Sequence, residues 1–281
     1  MKKIYTLILF AASLFFVGCT SDYHYANSFI KKFKQGKKTA TEQIYVCLPK
    51  QVIHTNSSLN DIEDFAFLSI TQQDSVIAAL TQILDKVDDS IFLEQFNSSF
   101  LFTLSRIKVP IVLVDSPDEL PKPDDNHFVI DIAQLEAEEF LQRSRSDFIT
   151  RKGTYYSYDY DLRHFSTNVW LRIDAVDTSD VVYFKNEEVM DEFRGTVTSL
   201  KDGKATLKTD FRRINTNDAY RTARVLGRAC ATLYIEKMLT EYVCRQKGTN
   251  KTYFYYSAGT NSIEVIMPYQ QGIKESFEKI Q

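Results

Sequence analysis

Three groups of residues in this 281-residue chain have types and spacings that chemistry can use. Glu136, Glu138 and Glu139 are the densest acidic group in a segment that reads as structured. At strand spacing Glu136 and Glu138 share a face, preceded on it by Ile130 and Ile132, and a carboxylate pair is the core machinery of a glycoside hydrolase. The same pair also reads as the acidic solvent edge of a strand. Tyr156, Tyr158 and Tyr160 alternate with Ser157, Asp159 and Asp161. Extended, that stretch puts three phenols on one side, where they stack a sugar ring, meet a partner protein or pack on their own sheet. Arg221, Arg224 and Arg228 lie along one side of a helical stretch, positioned to clamp an anion or to pair with nearby carboxylates.

The remaining chemistry-bearing residues are dispersed. His24, His54, His127 and His164 fall in or beside expected loops, and no H-E-x-x-H, G-x-S-x-G, P-loop or G-x-G-x-x-G motif occurs. No cysteine has a second cysteine or a histidine at metal-ligand spacing, so neither metal nor cofactor is expected. Cys230 and Cys244 share one expected helix, about 21 Å apart along its axis. Disulfide geometry requires Cα atoms roughly 4.4–6.8 Å apart, which excludes that pair. Cys47 either pairs with one of the two or all three remain buried thiols. The expectation is a protein that is not an enzyme.

The N-terminus says where such a protein works. Lys2 and Lys3 precede an apolar run from Ile4 to Val17, then Gly18 and Cys19. A helix needs about 20 apolar residues to span a bilayer, so this run is a signal sequence rather than an anchor helix. Phe16-Val17-Gly18-Cys19 resembles the lipobox of bacterial lipoproteins, with Phe16 where Leu is usual. The resemblance implies that Cys19 is diacylated, becomes the mature N-terminus and is then N-acylated, so the membrane is a partner through the lipid anchor. Thr20, where an Asp would mark inner-membrane retention in the best-known sorting pattern, favours the outer membrane of a Gram-negative bacterium, and the lack of a strongly acidic run after Cys19, Asp22 apart, favours the periplasm-facing side. The expected organisation is a signal peptide at 1–18, a lipidated N-terminus and tether at 19–42, and one globular domain at 43–281. With 34 basic and 37 acidic residues the net charge is −3, and losing Lys2 and Lys3 makes the mature chain more acidic by two charges. A mildly acidic chain of mixed signs lacks the concentrated basic face of a nucleic-acid binder, so no nucleic acid is expected as partner.

The elements follow from periodicity and punctuation. Gln43 to Leu48 reads as a strand stopped by Pro49. Thr71-Gln72-Gln73-Asp74 looks like a capping box opening a helix that buries Val76, Leu80, Ile83 and Val87. A second helix after Asp88-Asp89-Ser90 buries Leu93, Phe96, Phe100, Leu104 and Ile107 and runs into a strand, Val109 to Val114. His127 to Ile132 is the next strand, extending as far as Glu139. Asn168 to Val176 alternates Val169, Leu171, Ile173 and Ala175 against Trp170, Arg172 and Asp174, and pairs with Val181 to Lys185 across Asp177–Asp180. Thr196 to Thr209 is a hairpin turning at Asp202-Gly203. A long helix, about Asp218 to Cys244, carries Ala223, Gly227 and Ala231 four residues apart, a stripe for close internal packing or a subunit interface. Thr252 to Ser257 and Ser262 to Met267 form a last hairpin, with a short amphipathic tail after Pro268. The expected fold is α+β, a mostly antiparallel sheet with two N-terminal helices and one long C-terminal helix packed on it.

In order and pattern, Ile44 to Val114 and the later strands resemble a class of envelope lipoproteins. The class includes the curli-secretion lipoprotein, the N-terminal domain of TolB, activators of penicillin-binding proteins and ABC-transport auxiliary lipoproteins. The shared features are an opening strand, a helix of the kind in Phe92-Leu93-Glu94-Gln95-Phe96 through Leu104, and a V-x-V strand. The resemblance implies a lipid-anchored accessory protein that binds or assembles an envelope protein complex. Spanning strands of a secretion pore need about 9–11 residues with an apolar face, and Thr196–Leu200 and Lys204–Thr209 read as too short and too polar. A glycan- or small-ligand-binding lipoprotein and a carboxylate-dependent hydrolase are the alternatives. If the acyl chains alone hold the membrane, Cys19→Ala will move the folded protein into the soluble fraction; a variant still pelleting with membranes after a high-salt wash refutes this.

Overall fold

A computed structural model describes residues 42–62, 65–107, 109–124, 127–149, 155–174, 182–201, 204–247, 254–257, 262–265 and 277–280. Cys19, the turns at Asp177–Asp180 and Asp202-Gly203, Ala175 and the stretch directly after Pro268 lie outside the described residues. Eleven strands are described: β1 Gln43–Cys47, β2 Ile53–Asn56, β3 Ile111–Val114, β4 His127–Ile149, β5 Tyr155–Asp174, β6 Val182–Met190, β7 Glu192–Lys201, β8 Lys204–Arg212, β9 Phe254–Ser257, β10 Ser262–Val265 and β11 Glu278–Ile280. Three α-helices accompany them: α1 Ile70–Leu80, α2 Asp89–Ser105 and α3 Thr216–Lys247.

The architecture is α+β, but the main sheet is mixed rather than mostly antiparallel. Its order is β11-β6-β5-β4-β1-β3, with β2 added on β4. β1 runs parallel to both β3 and β4, and β2 is parallel to β4. β4–β5, β5–β6 and β6–β11 are antiparallel. Local hairpin signals reveal the antiparallel half. The parallel half joins β1 to strands about seventy to eighty residues away, a pairing no local pattern specifies. The residues after Pro268 do not end simply as a tail, because β11 closes the outer edge of β6.

One core lies between the sheet and helices α2 and α3. From β1 it takes Ile44 and Val46, from β4 Phe128, Ile130, Ile132, Leu135 and Ala137, and from β5 Phe165, Val169, Leu171 and Ile173. The change from even to odd positions along β4 follows from a β-bulge between Ile132 and Gln134. One extra residue there shifts the alternation by one. Glu136 and Glu138 therefore do not share a face with Ile130 and Ile132 as the unbroken spacing implies; they point away from the core.

α2 begins where expected, with the Asp88 carboxylate accepting from the Ser90 and Ile91 N–H groups at 2.8 and 3.1 Å. It buries Phe92, Phe96, Phe100 and Leu104, while Leu93 is only partly buried. α1 departs from expectation. Its cap is Ser69, whose N–H and hydroxyl both donate to Gln72 Oε1, and none of its residues is buried. The helix stops at Leu80, so Ile83 and Val87 enter the core from the following 3-10 turn instead.

The small-residue stripe of α3 serves internal packing. Ala223, Gly227 and Ala231 are all buried, and α3 crosses α2 at Gly227. A Cβ on Gly227 would lie 2.4 Å from the Phe96 carbonyl oxygen. Thr222 and Thr167 hydroxyls, 2.6 Å apart, tie the same helix to β5.

β4 and β5 are far longer than their apolar patterns indicate. They stay paired from Val129/Asp174 to Ile149/Tyr155, and the far half, residues 140–149 with 155–164, projects as a two-stranded arm of roughly 30 Å. β7 and β8 form a separate two-stranded sheet against this arm. At ten and nine residues they are longer than the spacing suggested, although Glu192, Arg194 and Thr196 keep the described open face of β7 polar.

Buried charge fixes the root of the arm. The Glu139 carboxylate, fully buried on the core side, accepts from the backbone N–H groups of Gln82, Ile83 and Leu84 at 2.9–3.0 Å and pairs with the Arg163 guanidinium. Arg163 also donates to the Leu80 carbonyl at 2.9 Å. Gly227→Ala should destabilise the fold by about 1–3 kcal/mol in a denaturant titration, because overpacking against a backbone carbonyl outweighs the ~1 kcal/mol helix-propensity gain. An unchanged or raised midpoint would refute the close approach.

Candidate functional site

The three constellations read from sequence land in different places. Glu136 and Glu138 occupy the outer face of the sheet, opposite Asn168 and Ser166 on β5 and Ile53 and Thr55 on β2. Thr55 and Ser57 hydroxyls donate to Glu136 and Glu138 respectively. One Asn168 amide nitrogen donates to both carboxylates, at 3.4 and 3.0 Å. The pair is thus brought together as the strand spacing implies, with its oxygens engaged by side chains of the neighbouring strands. Glu139, third in the acidic group, faces the other way and does structural work.

Tyr158 and Tyr160 point to that same outer face, farther along the arm. There they form an aromatic stack with the β7–β8 hairpin. The Tyr160 and Phe193 ring centroids lie 3.9 Å apart and nearly parallel, Tyr158 stacks on Phe193 at 5.7 Å, and Phe211 closes the group edge-on to Tyr160. The Tyr160 hydroxyl is 2.9 Å from Ser146 Oγ. Tyr156 pairs in register with Phe148. The Phe148 ring lies over Gly195, where a Cβ would come within 2.5 Å of it, so the hairpin seats closely only because position 195 carries no side chain. The arm's opposite face is charged. Arg145 forms a bidentate pair with Asp159 at 2.6 and 3.0 Å, which holds the Asp159 carboxyl below its ordinary range. Hydrogen bonds from Tyr155 and Ser157 do the same for Asp147. At the arm's end the adjacent Ile149 and Tyr155 are 75% and 59% exposed.

The arginines of α3 do not converge. Arg221 lies 3.8 Å from Asp218, while Arg224 and Arg228 are exposed. His164 is buried, stacked on Phe140 at 4.8 Å and hydrogen-bonded through Nδ1 to Glu188. Among the described residues no group of His, Cys, Asp and Glu is placed to hold a metal ion, and no helix is long and apolar enough to cross a membrane.

A fourth place was not read from the sequence. β1 leaves β4 after Cys47, opposite Asp131, and β2 rejoins β4 at Ile53, opposite Glu136. Between these points residues 132–135 of β4, bulge included, have no strand partner on that side. The connecting residues 48–52 bow away and leave a cleft of about 330 Å³ whose lining includes Cys47, Lys50, Asp115, Asp131 and Gln134. It opens at the carboxyl ends of parallel β1 and β3, where the strand order reverses about β1, a recurrent location for ligands in open sheets containing parallel strands. Its one sequence signal was the break in phase between Ile130, Ile132 and Leu135, Ala137.

Cys47 lines this cleft as a buried thiol, and Cys230 is buried in α3; among the described residues no disulfide joins either to Cys244. Burial, with the Asp131 carboxylate beside it, pushes the Cys47 thiol above its ordinary pKa, and burial alone pushes Cys230 up strongly.

No protein-family model matches the chain, and no curated protein does. Among solved structures, the chain is similar to a neuraminyllactose-binding hemagglutinin homologue from Helicobacter pylori. That overlay has a TM-score of 0.31 and 9% identity, covering 74% of this chain and 91% of the other; it is too loose to transfer a function.

The raised pKa sets a reactivity. The thiolate is the nucleophile, so in a Cys230→Ser/Cys244→Ser background Cys47 should alkylate with iodoacetamide near pH 8 at least tenfold more slowly in the folded than in the denatured protein. Equal rates would mean that the thiol is neither buried nor held protonated.

Proposed function

We propose that this chain is a lipid-anchored, non-enzymatic accessory protein of the bacterial outer membrane that works by binding a partner protein through the end of the β4–β5 arm. One observation carries the reading. The arm projects beyond the core, and its described part ends in two exposed apolar side chains, Ile149 and Tyr155, on a shaft where Phe148, Tyr158 and Tyr160 are packed against the β7–β8 hairpin. Exposed apolar residues at the end of a rigid projection mark contact sites, and a tyrosine there combines a large contact area with a polar end. The lipobox at Phe16–Cys19 supports the anchor, Thr20 supports the outer membrane, and the lack of a strongly acidic run after Cys19, Asp22 apart, supports the periplasm-facing orientation.

The geometry supports the alternatives unequally. The rings of Tyr158 and Tyr160 are already stacked on Phe193, which favours packing over the docking of a sugar on the tyrosine face. Glu136 and Glu138 are held by Thr55, Ser57 and Asn168, which favours a structural role over hydrolysis. Small-ligand binding is the second reading, favoured by the cleft beside Cys47.

Affinity purification of the full-length protein from detergent-solubilised membranes should recover a stoichiometric partner. The double variant Ile149→Asp/Tyr155→Ser should lose it, at about 2 kcal/mol or more for a hot-spot side chain, with an unchanged thermal midpoint. Recovery of no partner by the parent protein, or undiminished recovery by the variant, would sink the reading.

A further inference from the structure

We propose that the cleft between the β1–β2 connection and the β4 bulge binds a short free peptide bearing both of its charged ends. This inference is independent of the arm. Four features of the cleft specify the occupant.

The first is its charge pattern. Lys50 and Asp115 stand at the mouth with Lys50 Nζ 3.2 Å from the Asp115 carboxylate, and both side chains are largely exposed. An exposed pair of this kind contributes little by itself, so a ligand carboxylate on Lys50 and a ligand ammonium on Asp115 can replace it at small cost. The second is the floor. The buried Asp131 carboxylate is balanced by Arg172 at 3.2 Å, and the Cys47 thiol beside it is protonated. Lys50, Asp115, Asp131 and Arg172 balance one another, which favours a ligand with separated charges of both signs, and Glu119, which accepts from the Asp115 N–H at 3.4 Å, disfavours a bare anion. A monoanion or a monocation would leave one mouth residue facing its own sign.

The third feature is the wall. Residues 132–135 of β4 have no strand partner on the cleft side among the described residues. Backbone N–H and C=O groups require partners, and a peptide bond lying along a sheet edge supplies both. This favours an amide between the two charged ends over a single amino acid or a sugar, and Ile132, Gln134 and Leu135, all uncharged, line the position it would take. The fourth is size. About 330 Å³ lies at the small end of ligand pockets, which accommodates a peptide of two or three small residues and excludes a long segment. The bulge is what sets this geometry, because it pulls β4 out of register where β1 gives way to β2.

The test is equilibrium dialysis of the full-length protein in detergent against radiolabelled L-alanyl-L-alanine, with N-acetyl-alanyl-alanine amide, which has the same amide but neither charge, as control. Saturable binding of the free dipeptide is expected, at least about tenfold tighter than that of the blocked one. Lys50→Ala and Asp115→Asn should each weaken it by about tenfold, and both sites are exposed enough for the fold to tolerate the change, as circular dichroism will check. The arm variant Ile149→Asp/Tyr155→Ser should bind the dipeptide normally, which separates this proposal from the partner-binding reading. Absence of saturable binding, equal binding of the blocked peptide, or undiminished binding by the two mouth variants would each overturn the proposal.

Discussion

The fold turns on a carboxylate and a guanidinium kept away from water, Glu139 and Arg163. Burying either alone would cost several kcal/mol, and the pair offsets that cost only if the remaining hydrogen-bonding positions are filled. Here they are. Glu139 gathers three consecutive backbone N–H groups at residues 82–84, and Arg163 reaches the last carbonyl of α1. The backbone of Arg163 is held as well, since its N–H donates to Asp191 at 3.1 Å and its carbonyl accepts from the Asp191 N–H at 2.9 Å. Asp191, itself buried, collects the Ile214 N–H and the Arg213 guanidinium. One residue of β5 thereby joins the end of α1, the β6–β7 junction and the β8–α3 junction. Those are the places where the chain leaves the core to build the arm and its hairpin, and where it returns.

From that root outward, short of the exposed Ile149 and Tyr155, each face of the β4–β5 ribbon is covered where it is aromatic or aliphatic and bare where it is charged. Near the core α2 and α3 cover the side bearing Leu135, Val169 and Leu171. Along the arm the cover changes sides, and the β7–β8 hairpin packs Phe193 and Phe211 over Tyr158 and Tyr160. The face with Arg145 and Asp159 remains open to solvent. A two-stranded ribbon is marginal alone. The aromatic stack turns it into a small sandwich able to hold its end residues at a fixed distance from the core.

Local patterns made much of this readable. The phenylalanine spacing of α2, the length of α3 and the alternation from Val169 to Ile173 all appear as strand or helix because each element carries its own apolar period. What was lost lacked a local signature. Gln142 to Asp147 has no buried alternation, so the second half of β4 was invisible, and with it the arm. The apolar spacing through Val76, Leu80, Ile83 and Val87 continued past the end of α1, so an exposed helix and a buried turn merged into one amphipathic helix. Pairing of β1 with β3 and β4 depends on tertiary contacts alone. Of the candidate sites, strand alternation brings Glu136 together with Glu138 and Tyr158 with Tyr160, but the bulge turns the glutamates away from Ile130 and Ile132, and the neighbours Thr55, Asn168 and Phe193 come from strands whose positions only the fold determines.

Ala133, the extra residue of the bulge between Ile132 and Gln134, sets what the gene can tolerate along β4. The two halves of β4 are related by parity: even positions face the helices before it and odd positions after it. Substitutions on either side act on one face at a time, but loss or gain of a codon elsewhere in the strand, with the bulge kept, turns every later position over. Loss of the bulge residue itself is different: Ile132 would then be followed directly by Gln134, still opposite Trp170, so Glu136 and Glu138 stay on the outer face and Glu139 stays beside Arg163. The bulge therefore divides the strand into two segments that can vary in sequence but not in length, and it is itself a place where the strand can lose a residue without changing faces.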